Sequence, residues 1–403
     1  MLTSSFPRFR GDGAGVFISE LSDHLIAHGC NVSVLAPHAP GSRVRECWAG
    51  GKLKILRFRY FYPEAFQKLC YGHGIIKNIR EQPATLVQAP FLLAAQTAAL
   101  IRVCNQQRID LIHAHWSFPQ GMVAWLGSRL FQRPYIVSLH GTDVYGLKYP
   151  LVSQLNRSIC RQAAACTVNS EETGEAAKQF LGLHKFKTVP MGVDTRLFHP
   201  GNVNPNRNPT RDRDLRILFV GRLIDLKGVD HLIKALALIL PECPKARLEI
   251  IGDGPLKASL QRLASDLGIR QRVSFLGSIV HEELPDHYRQ ADVFVLPSCE
   301  NKAGETEGLG VVLLEAMACG VPVIGSLTGG IPQIITDGVT GLLAEPQDPG
   351  SLASKLLTLY SKPDLRTRLV ANAHKLIARS FSWKLISSRF VEIYAEVLAS
   401  HRS

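Results

Sequence analysis

Short apolar runs alternate with amphipathic stretches along the whole chain. In the first half the runs are VSVLAP (32–37), DLIHAH (110–115), YIVSLHG (135–141) and ACTVNS (165–170). In the second half they are RILFVG (216–221), RLEIIG (247–252), RVSFLG (272–277), DVFVLPS (292–298) and PVIG (322–325). Strand-length apolar runs that alternate with helical patterns predict an α/β fold with doubly wound parallel sheets.

A polar stretch separates the two series of strands. Residues 201–214, GNVNPNRNPTRDRD, are rich in Asn, Pro, Gly and charge, which is typical of a linker. Because 403 residues exceed what one core usually supports, we predict a first domain over 1–200 and a second over 201–380. Helical spacing predicts that 381–403 form a terminal helix packed back on the first domain. A ligand is expected in the cleft between the domains, at the carboxyl ends of the strands.

Composition narrows the class of protein. The nine cysteines include no CxxC pair, which argues against a disulfide framework or a structural zinc site and favours a cytoplasmic chain. No run approaches the eighteen or so uncharged apolar residues of a membrane span, and MLTSSFPRFR lacks the apolar core of a signal peptide. We therefore expect a soluble protein, or one peripheral on the inner face of the cell membrane. The net charge of +12 falls mainly on residues 1–200, with 22 Lys and Arg against 12 Asp and Glu.

The first strand is short. Only Met1 to Ser4 precede Ser5-Phe6-Pro7, whereas a doubly wound domain normally opens with a buried strand of five or six residues. We expect either an unusually short first strand or a natural start a few residues upstream.

Two glutamates give the strongest indication of chemistry. Glu307 and Glu315 lie eight positions apart in GETEGLGVVLLEAMACG (304–320), directly after an apolar run. A strand, a glycine loop and a helix in succession aim a helix N-terminus at an anion. Since carboxylates repel phosphate but accept hydrogen bonds from hydroxyls, the pair points to a nucleotide sugar. The alternative is that the glutamates only complement the helix dipole.

Cations and further glycine turns follow other strands of the second half. Arg222 and Lys227 come after RILFVG, where they could bind a diphosphate without a metal, or form ordinary solvated charges. Two further glycine turns occur in this half, in IIGDGPLK (250–257) and in Gly-Gly-Ile-Pro (329–332).

These motifs together carry a resemblance to a known family. VGRL…KG, GDGP, EGLGVVLLEAMACGVPVIG, GGIP and DGVTGLL (337–343) resemble the C-terminal domain of the retaining GT-B glycosyltransferases of family 4. In the first half GDGAG (11–15), HGTDVY (140–145) and MGVDTRLFHP (191–200) extend the resemblance to nearly the whole chain. It implies two Rossmann-like domains that face a cleft, the first binding the acceptor and the second the donor.

The resemblance also implies roles for single residues of the second domain. Glu307 would accept hydrogen bonds from the donor sugar, and Glu315 from the nucleotide ribose. Arg222 and Lys227 would stabilise the leaving diphosphate. The backbone of Gly308, Leu309 and Gly310 would present helix-terminal amides to phosphate or sugar.

In the first domain the resemblance assigns a catalytic part to His140, which would approach the sugar. The loop from Gly13 to Gly15 would close over the diphosphate. The family retains anomeric configuration, and the usual proposal is a front-face attack in which the departing phosphate oxygen takes the acceptor proton. The two glutamates should not be read as a glycosidase pair.

The implied reaction moves a hexosyl group from a UDP- or GDP-sugar to a saccharide or polyprenyl-linked acceptor in surface polysaccharide synthesis. A sugar-nucleotide epimerase of the same architecture and a non-catalytic sugar-binding protein are the alternatives. No cofactor or metal is expected, because the one DxD sequence, Asp212-Arg213-Asp214, lies in the predicted linker.

A basic and aromatic segment marks the first half. From Arg43 to Arg80 there are nine Lys and Arg, among them Arg57 and Arg59, against two glutamates. This composition suits contact with an anionic membrane surface or a lipid diphosphate acceptor, with an ordinary folded surface as the alternative. Stacking on single-stranded nucleic acid also fits the composition, but no recognised nucleic-acid module accompanies it, so no nucleic-acid partner is expected.

Three side chains near the predicted strand ends remain open to two interpretations. His115 and His113 could contact an acceptor or only pack within the domain. Asp143 could orient the loop of His140 or cap a turn, and we favour the turn.

Overall fold

The computed structural model describes residues 1–9, 11–72, 74–145, 150–201, 215–301 and 304–402. Two compact units divide the chain. Unit 1 comprises Met1–Pro190 with Trp383–Ser403, and unit 2 comprises Met191–Ser382. The division lies between Pro190 and Met191, somewhat before the predicted boundary at 200, and the terminal helix belongs to unit 1.

Strands and helices alternate in both units. The strands are β1 (Val32–Pro37), β2 (Arg45–Trp48), β3 (Leu53–Phe58), β4 (Ile112–His115), β5 (Tyr135–Leu139), β6 (Ala165–Val168), β7 (Lys187–Thr188), β8 (Arg216–Val220), β9 (Arg247–Ile251), β10 (Val273–Gly277), β11 (Val293–Leu296), β12 (Val323–Ser326) and β13 (Leu342–Ala344). The helices are α1 (Val16–Ala27), α2 (Ile75–Glu81), α3 (Ala89–Gln106), α4 (Met122–Phe131), α5 (Thr142–Tyr145), α6 (Pro150–Gln162), α7 (Glu171–Leu181), α8 (Val229–Ile239), α9 (Lys257–Asp266), α10 (Leu284–Gln290), α11 (Val311–Ala318), α12 (Ile331–Ile334), α13 (Pro349–Ser361), α14 (Pro363–Leu376) and α15 (Trp383–Arg402).

Unit 1 is built on parallel strands. One set has the order β4-β5-β6-β7 and is parallel throughout. In the other set β1 pairs in parallel with β3, and β2 lies antiparallel at the far edge. Leu2 pairs with both Leu35 and Ala114, so the beginning of the chain joins the two sets side by side. This bridge occupies the position of the short first strand.

Unit 2 holds one parallel sheet of six strands in the order β10-β9-β8-β11-β12-β13. The order reverses between β8 and β11, which are hydrogen-bonded neighbours. In open α/β sheets ligands bind outside the carboxyl ends of the strands at such a reversal. All four residues of β11 are buried, as expected for a strand covered by helices on both faces.

The nine strands predicted from apolar runs all appear, with ends shifted by up to two residues. The pattern does not predict β2, β3, β7 or β13. In β3 the sequence LKILRF places Lys54 and Arg57 among the apolar residues, which breaks the run.

One helix corrects an expectation about membrane segments. Residues Pro83–Gln106, a 3-10 turn that continues into α3, have a mean hydropathy of 1.5, and 33% of their most apolar window is buried. Residues 82–101 form a stretch of 20 without Asp, Glu, Lys or Arg. By length and composition this segment could cross a membrane. The expectation that no apolar run approaches the length of a membrane span is therefore wrong.

Candidate functional site

A lysine, a serine and a glutamate converge at the carboxyl ends of β8 and β11 in unit 2. Lys227 Nζ donates to Glu307 Oε2 at 2.5 Å, and Ser298 Oγ donates to the same oxygen at 3.0 Å. Lys227 follows β8, whereas Ser298 and Glu307 follow β11, so the contact lies at the reversal of strand order. The family resemblance assigns Glu307 to the donor sugar and Lys227 to the diphosphate. In the structure the two side chains are in direct contact.

The site favours the ionised form of Glu307. Its side chain is 12% exposed and that of Lys227 13%. Burial raises the pKa of Glu307, but the charge of Lys227, the hydrogen bonds from Lys227 and Ser298, and the charge of Arg222 outweigh it, so the pKa lies below the usual value. A carboxylate held in this way is an acceptor for hydroxyl groups.

Glycines allow the neighbouring loops to approach closely. Gly330 N donates to Glu307 O at 2.8 Å, and a Cβ on Gly330 would lie 2.2 Å from Gly308 O. Gly228 has φ +59°, and a Cβ there would lie 2.1 Å from Pro297 O. These contacts exclude any side chain, so the glycines bring the loops after β8, β11 and β12 together.

The glycine pair of the glutamate motif begins α11. Gly310 has φ +83° and precedes the first helical residue. The first amides of a helix have no intrahelical acceptor, so they are available to an anion. Leu309 is 3% exposed and its side chain belongs to the core of unit 2, which leaves only its backbone for a ligand.

Arg222 is exposed at the end of β8. Its charge contributes to lowering the pKa of Glu307, so it acts on the same carboxylate as Lys227. The preceding Gly221 packs against the GDG turn, since a Cβ on Gly252 would lie 1.9 Å from Gly221 O.

Glu315 belongs to a different hydrogen-bond set. Tyr288 Oη, from α10, donates to Glu315 Oε2 at 2.7 Å, and His281 Nε2 lies 3.5 Å from Oε1. Burial holds the pKa of Tyr288 well above its usual value, so the phenol remains a donor. Sequence reasoning missed Ser298, Tyr288 and His281. For Ser298 its position two residues after a buried strand was a usable signal, whereas neither Tyr288 nor His281 belongs to a recognisable pattern.

In unit 1 the ends of β4 and β5 place His115 against His140. His115 Nδ1 and His140 Nε2 are 3.1 Å apart, and the two rings stack with centroids 5.3 Å apart. Asp143 accepts from the backbone N–H groups of His140 at 3.0 Å and Ser117 at 2.9 Å. Asp143 therefore caps the turn from His140 to Asp143, as expected, and it also ties this turn to the loop after β4 through Ser117.

Burial keeps three histidines at the ends of β4 and β5 neutral. Burial lowers the pKa of His140 to about 3, and it also lowers those of His113 and His115 well below the usual value. His113 bridges Tyr394 Oη at 2.8 Å and Ser138 Oγ at 2.7 Å, so it packs within the unit.

The two glycines of the first loop differ. Gly15 has φ +70° at the start of α1, and a Cβ there would lie 2.5 Å from Ser5 O. A Cβ on Gly13 would meet nothing within 4 Å. Asp12, directly before Gly13, forms an ion pair with Arg8 at 2.6 Å.

Two of the three predicted acceptor-binding side chains are buried. His115 is 1% exposed and its ring stacks on that of His140, so little of its side chain is open to a ligand. Arg57 is 1% exposed and donates to Pro7 O at 2.6 Å and Glu46 Oε1 at 3.1 Å, so it stabilises the interior of unit 1. Arg59 is exposed and forms an ion pair with Glu64.

Among the described residues no group of three or more His, Cys, Asp or Glu is placed to hold a metal ion. Asp212 and Asp214 lie outside the described residues.

Two family models match this chain. Residues 11–197 match the family model Glycosyltransferase Family 4, and residues 202–376 match Glycosyl transferases group 1. The chain is 32% identical to the GDP-mannose-dependent alpha-(1-6)-phosphatidylinositol monomannoside mannosyltransferase of Mycolicibacterium smegmatis, over 80% of this chain and 84% of that protein. It is 27% identical to N-acetyl-alpha-D-glucosaminyl L-malate synthase of Bacillus anthracis, over 97% and 96%.

A solved structure shares the fold. Sucrose-phosphate synthase from Thermosynechococcus elongatus matches with a TM-score of 0.77 and 24% identity, over 96% of this chain and 94% of that one.

Proposed function

The chain belongs to the family 4 glycosyltransferases, and from that premise we propose that it moves a hexosyl group from a UDP- or GDP-sugar to a saccharide or lipid-linked acceptor with retention of anomeric configuration. The GT-B fold and the transferase activity follow from the family. The donor, the stereochemistry, the acceptor and the residues are our proposal.

The observation that carries the proposal is the Lys227–Glu307 pair at the reversal of strand order in unit 2. The hydrogen bonds from Lys227 and Ser298 both end on Glu307 Oε2, and we assign Oε1 to a hydroxyl of the transferred sugar. An ammonium carries three N–H donors and Glu307 takes one, so we assign another to the diphosphate.

Arg222 and Glu315 complete the donor site. Arg222 supplies a second cation to the diphosphate, and the first amides of α11, after Gly308 and Gly310, supply further donors. Tyr288 donates to Glu315 Oε2, and we assign Oε1, which lies 3.5 Å from His281 Nε2, to the ribose hydroxyls. These two cations supply the positive charge, so we propose transfer that needs no metal or cofactor.

The bond changes follow from this arrangement. The bond between the anomeric carbon and the β-phosphate oxygen breaks, and the acceptor oxygen bonds to the same face of that carbon. The departing phosphate oxygen takes the acceptor proton, so no protein base is required. Lys227 and Arg222 stabilise the charge that develops on the diphosphate, which lowers the barrier.

Unit 1 is assigned to the acceptor. We propose His140, neutral at physiological pH, as a hydrogen-bonding partner of the sugar, and the loop from Gly13 to Gly15 as backbone near the diphosphate. The relative from Mycolicibacterium smegmatis is named as a phosphatidylinositol monomannoside mannosyltransferase. That name supports a lipid-linked acceptor for this chain. We propose a role in cell-surface polysaccharide or glycolipid synthesis at the inner face of the membrane.

A donor screen tests the proposal. GDP-mannose, which appears in the name of that relative, is compared with UDP-glucose, UDP-galactose and UDP-N-acetylglucosamine by calorimetric binding and by release of nucleoside diphosphate in EDTA. One donor should bind and be slowly hydrolysed by the wild type, and Glu307→Ala should reduce its turnover sharply without changing the melting temperature.

Two results would contradict parts of the proposal. Near-normal turnover by Glu307→Ala would overturn the role of Glu307, and complete inactivity in EDTA that Mg²⁺ restores would overturn metal-independent transfer. With a suitable acceptor, the anomeric configuration of the product measured by NMR decides retention.

A further inference from the structure

Unit 1 exposes a group of large apolar side chains on two segments. Tyr62 and Phe66 follow β3, and Leu86, Val87 and Phe91 lie on the 3-10 turn and the first turn of α3. Each of the five is between 51% and 86% exposed. We call these five residues the apolar patch. Single exposed apolar residues are ordinary, but several on adjoining segments mark an interaction surface.

Two contacts hold the segments against each other. The rings of Phe61 and Phe91 meet edge to face with centroids 5.7 Å apart. The side chain of Gln88 donates to Phe66 O at 2.7 Å and accepts from Lys68 N at 3.2 Å. The apolar patch is therefore one built surface and not two independent loops.

The outer face of α3 continues the apolar patch. Val87, Phe91, Ala94 and Ala98 are exposed at helical spacing, and no charged residue occurs between 82 and 101. On the opposite face Leu92, Gln96, Ala99, Leu100 and Val103 are buried in unit 1. A surface helix normally turns charged and polar residues outward, so this face is adapted to a non-aqueous neighbour.

The positive charge of unit 1 indicates which kind of surface the apolar patch contacts. Unit 1 contains 24 Lys and Arg against 13 Asp and Glu, whereas unit 2 contains 22 against 21. Lys68 and Arg80 are exposed on the segments that carry or adjoin the apolar patch, and Arg59 is also exposed there, paired with Glu64. An apolar face bordered by cations complements a bilayer with anionic lipids, because each cation near such a surface adds electrostatic attraction.

We propose that the apolar patch inserts into the interface of an anionic bilayer, with α3 lying along the membrane plane. The inner face of α3 packs in the core of unit 1, so the helix docks on the membrane without spanning it. This docking goes beyond glycosyl transfer and does not depend on it, because vesicle binding requires neither donor nor acceptor.

Flotation of the full chain with vesicles tests the proposal. The probes are vesicles of phosphatidylcholine alone and of phosphatidylcholine with phosphatidylglycerol. The variants are Val87→Ser/Phe91→Ser on α3 and Tyr62→Ser/Phe66→Ser on the other segment. Leu238→Ser is the matched control, since Leu238 is a comparably exposed leucine on unit 2.

The wild type should bind the anionic vesicles more strongly than the neutral ones, and each double variant should lower the partition coefficient at least about tenfold. Leu238→Ser should bind like the wild type. Unchanged binding of both double variants would overturn the proposal, as would absence of wild-type binding. Self-association that the double variants abolish, without vesicle binding, would instead assign the face to a second copy of the chain.

Discussion

Lys227 Nζ lies 2.5 Å from Glu307 Oε2, and this contact joins the turn after β8 to the loop after β11. The two residues are 80 positions apart in sequence, yet their strands are neighbours in the sheet. The cation proposed for the diphosphate and the carboxylate proposed for the sugar therefore position each other. Loss of either changes both halves of donor binding.

Lys227→Met should lower kcat/KM for donor turnover by roughly 10²-fold or more, because the leaving diphosphate loses a charge and Glu307 loses its partner. Lys234→Met is the matched control, since Lys234 pairs with Asp230 at 3.1 Å on the exposed face of α8. The measurement is release of nucleoside diphosphate under conditions where substrate is limiting. Equal activity of the two variants would remove Lys227 from the site.

How far the sequence predicts the fold depends on burial. Strands such as β8 and β11 are continuous apolar runs because helices cover both faces, so their position follows from composition. β3 was missed because it carries Arg57, whose charge suggests exposure. In the structure Pro7 O and Glu46 accept from that guanidinium, so burial of the charge is compensated by contacts that no local pattern reveals.

The same limit applies to the site. The motif around Glu307 and Glu315 could be read because a glycine loop and a helix follow the strand in sequence. Tyr288 is 27 residues from Glu315 and reaches it only because α10 and α11 pack together. Such pairings depend on tertiary structure, and a single sequence read by itself carries no signal for them.

Tyr288→Phe should weaken binding of the free nucleotide about tenfold, because Glu315 Oε2 loses the phenol that orients it. It should also lower the free energy of unfolding by about 1–2 kcal/mol. Tyr135→Phe is the control, since the buried Tyr135 hydroxyl donates to Ile159 O at 2.6 Å in unit 1. Calorimetry with UDP and GDP and thermal melting separate the two effects. If both variants bind nucleotide like the wild type, Glu315 needs no support from Tyr288.

Acid should destabilise unit 1 through His140. The pKa of His140 is about 3 in the folded protein and has the ordinary histidine value of 6.5 in the unfolded chain. As the pH falls, the unfolded chain therefore binds a proton first. The stability is therefore fully present above pH 6.5 and falls as the pH drops toward 3, with a loss of about 2 kcal/mol at pH 5 from this residue alone. His140→Gln should flatten this slope in denaturant melts, whereas His184→Gln, at an exposed position, should leave it unchanged. Identical slopes for the wild type and His140→Gln would show that His140 is not held neutral by the fold.

The glycines of the first loop offer a matched pair for the last prediction. Gly15→Ala should lower the melting temperature and the free energy of unfolding by roughly 1–3 kcal/mol, because the new Cβ lies 2.5 Å from Ser5 O and the backbone has φ +70°. Gly13→Ala should leave the melting temperature unchanged, since a Cβ there meets nothing within 4 Å. Donor turnover is then measured on both variants. A loss of turnover in Gly13→Ala with an unchanged melting temperature supports a direct role of this loop at the diphosphate, and normal turnover restricts the loop to the structural role that Gly15 fulfils at the start of α1.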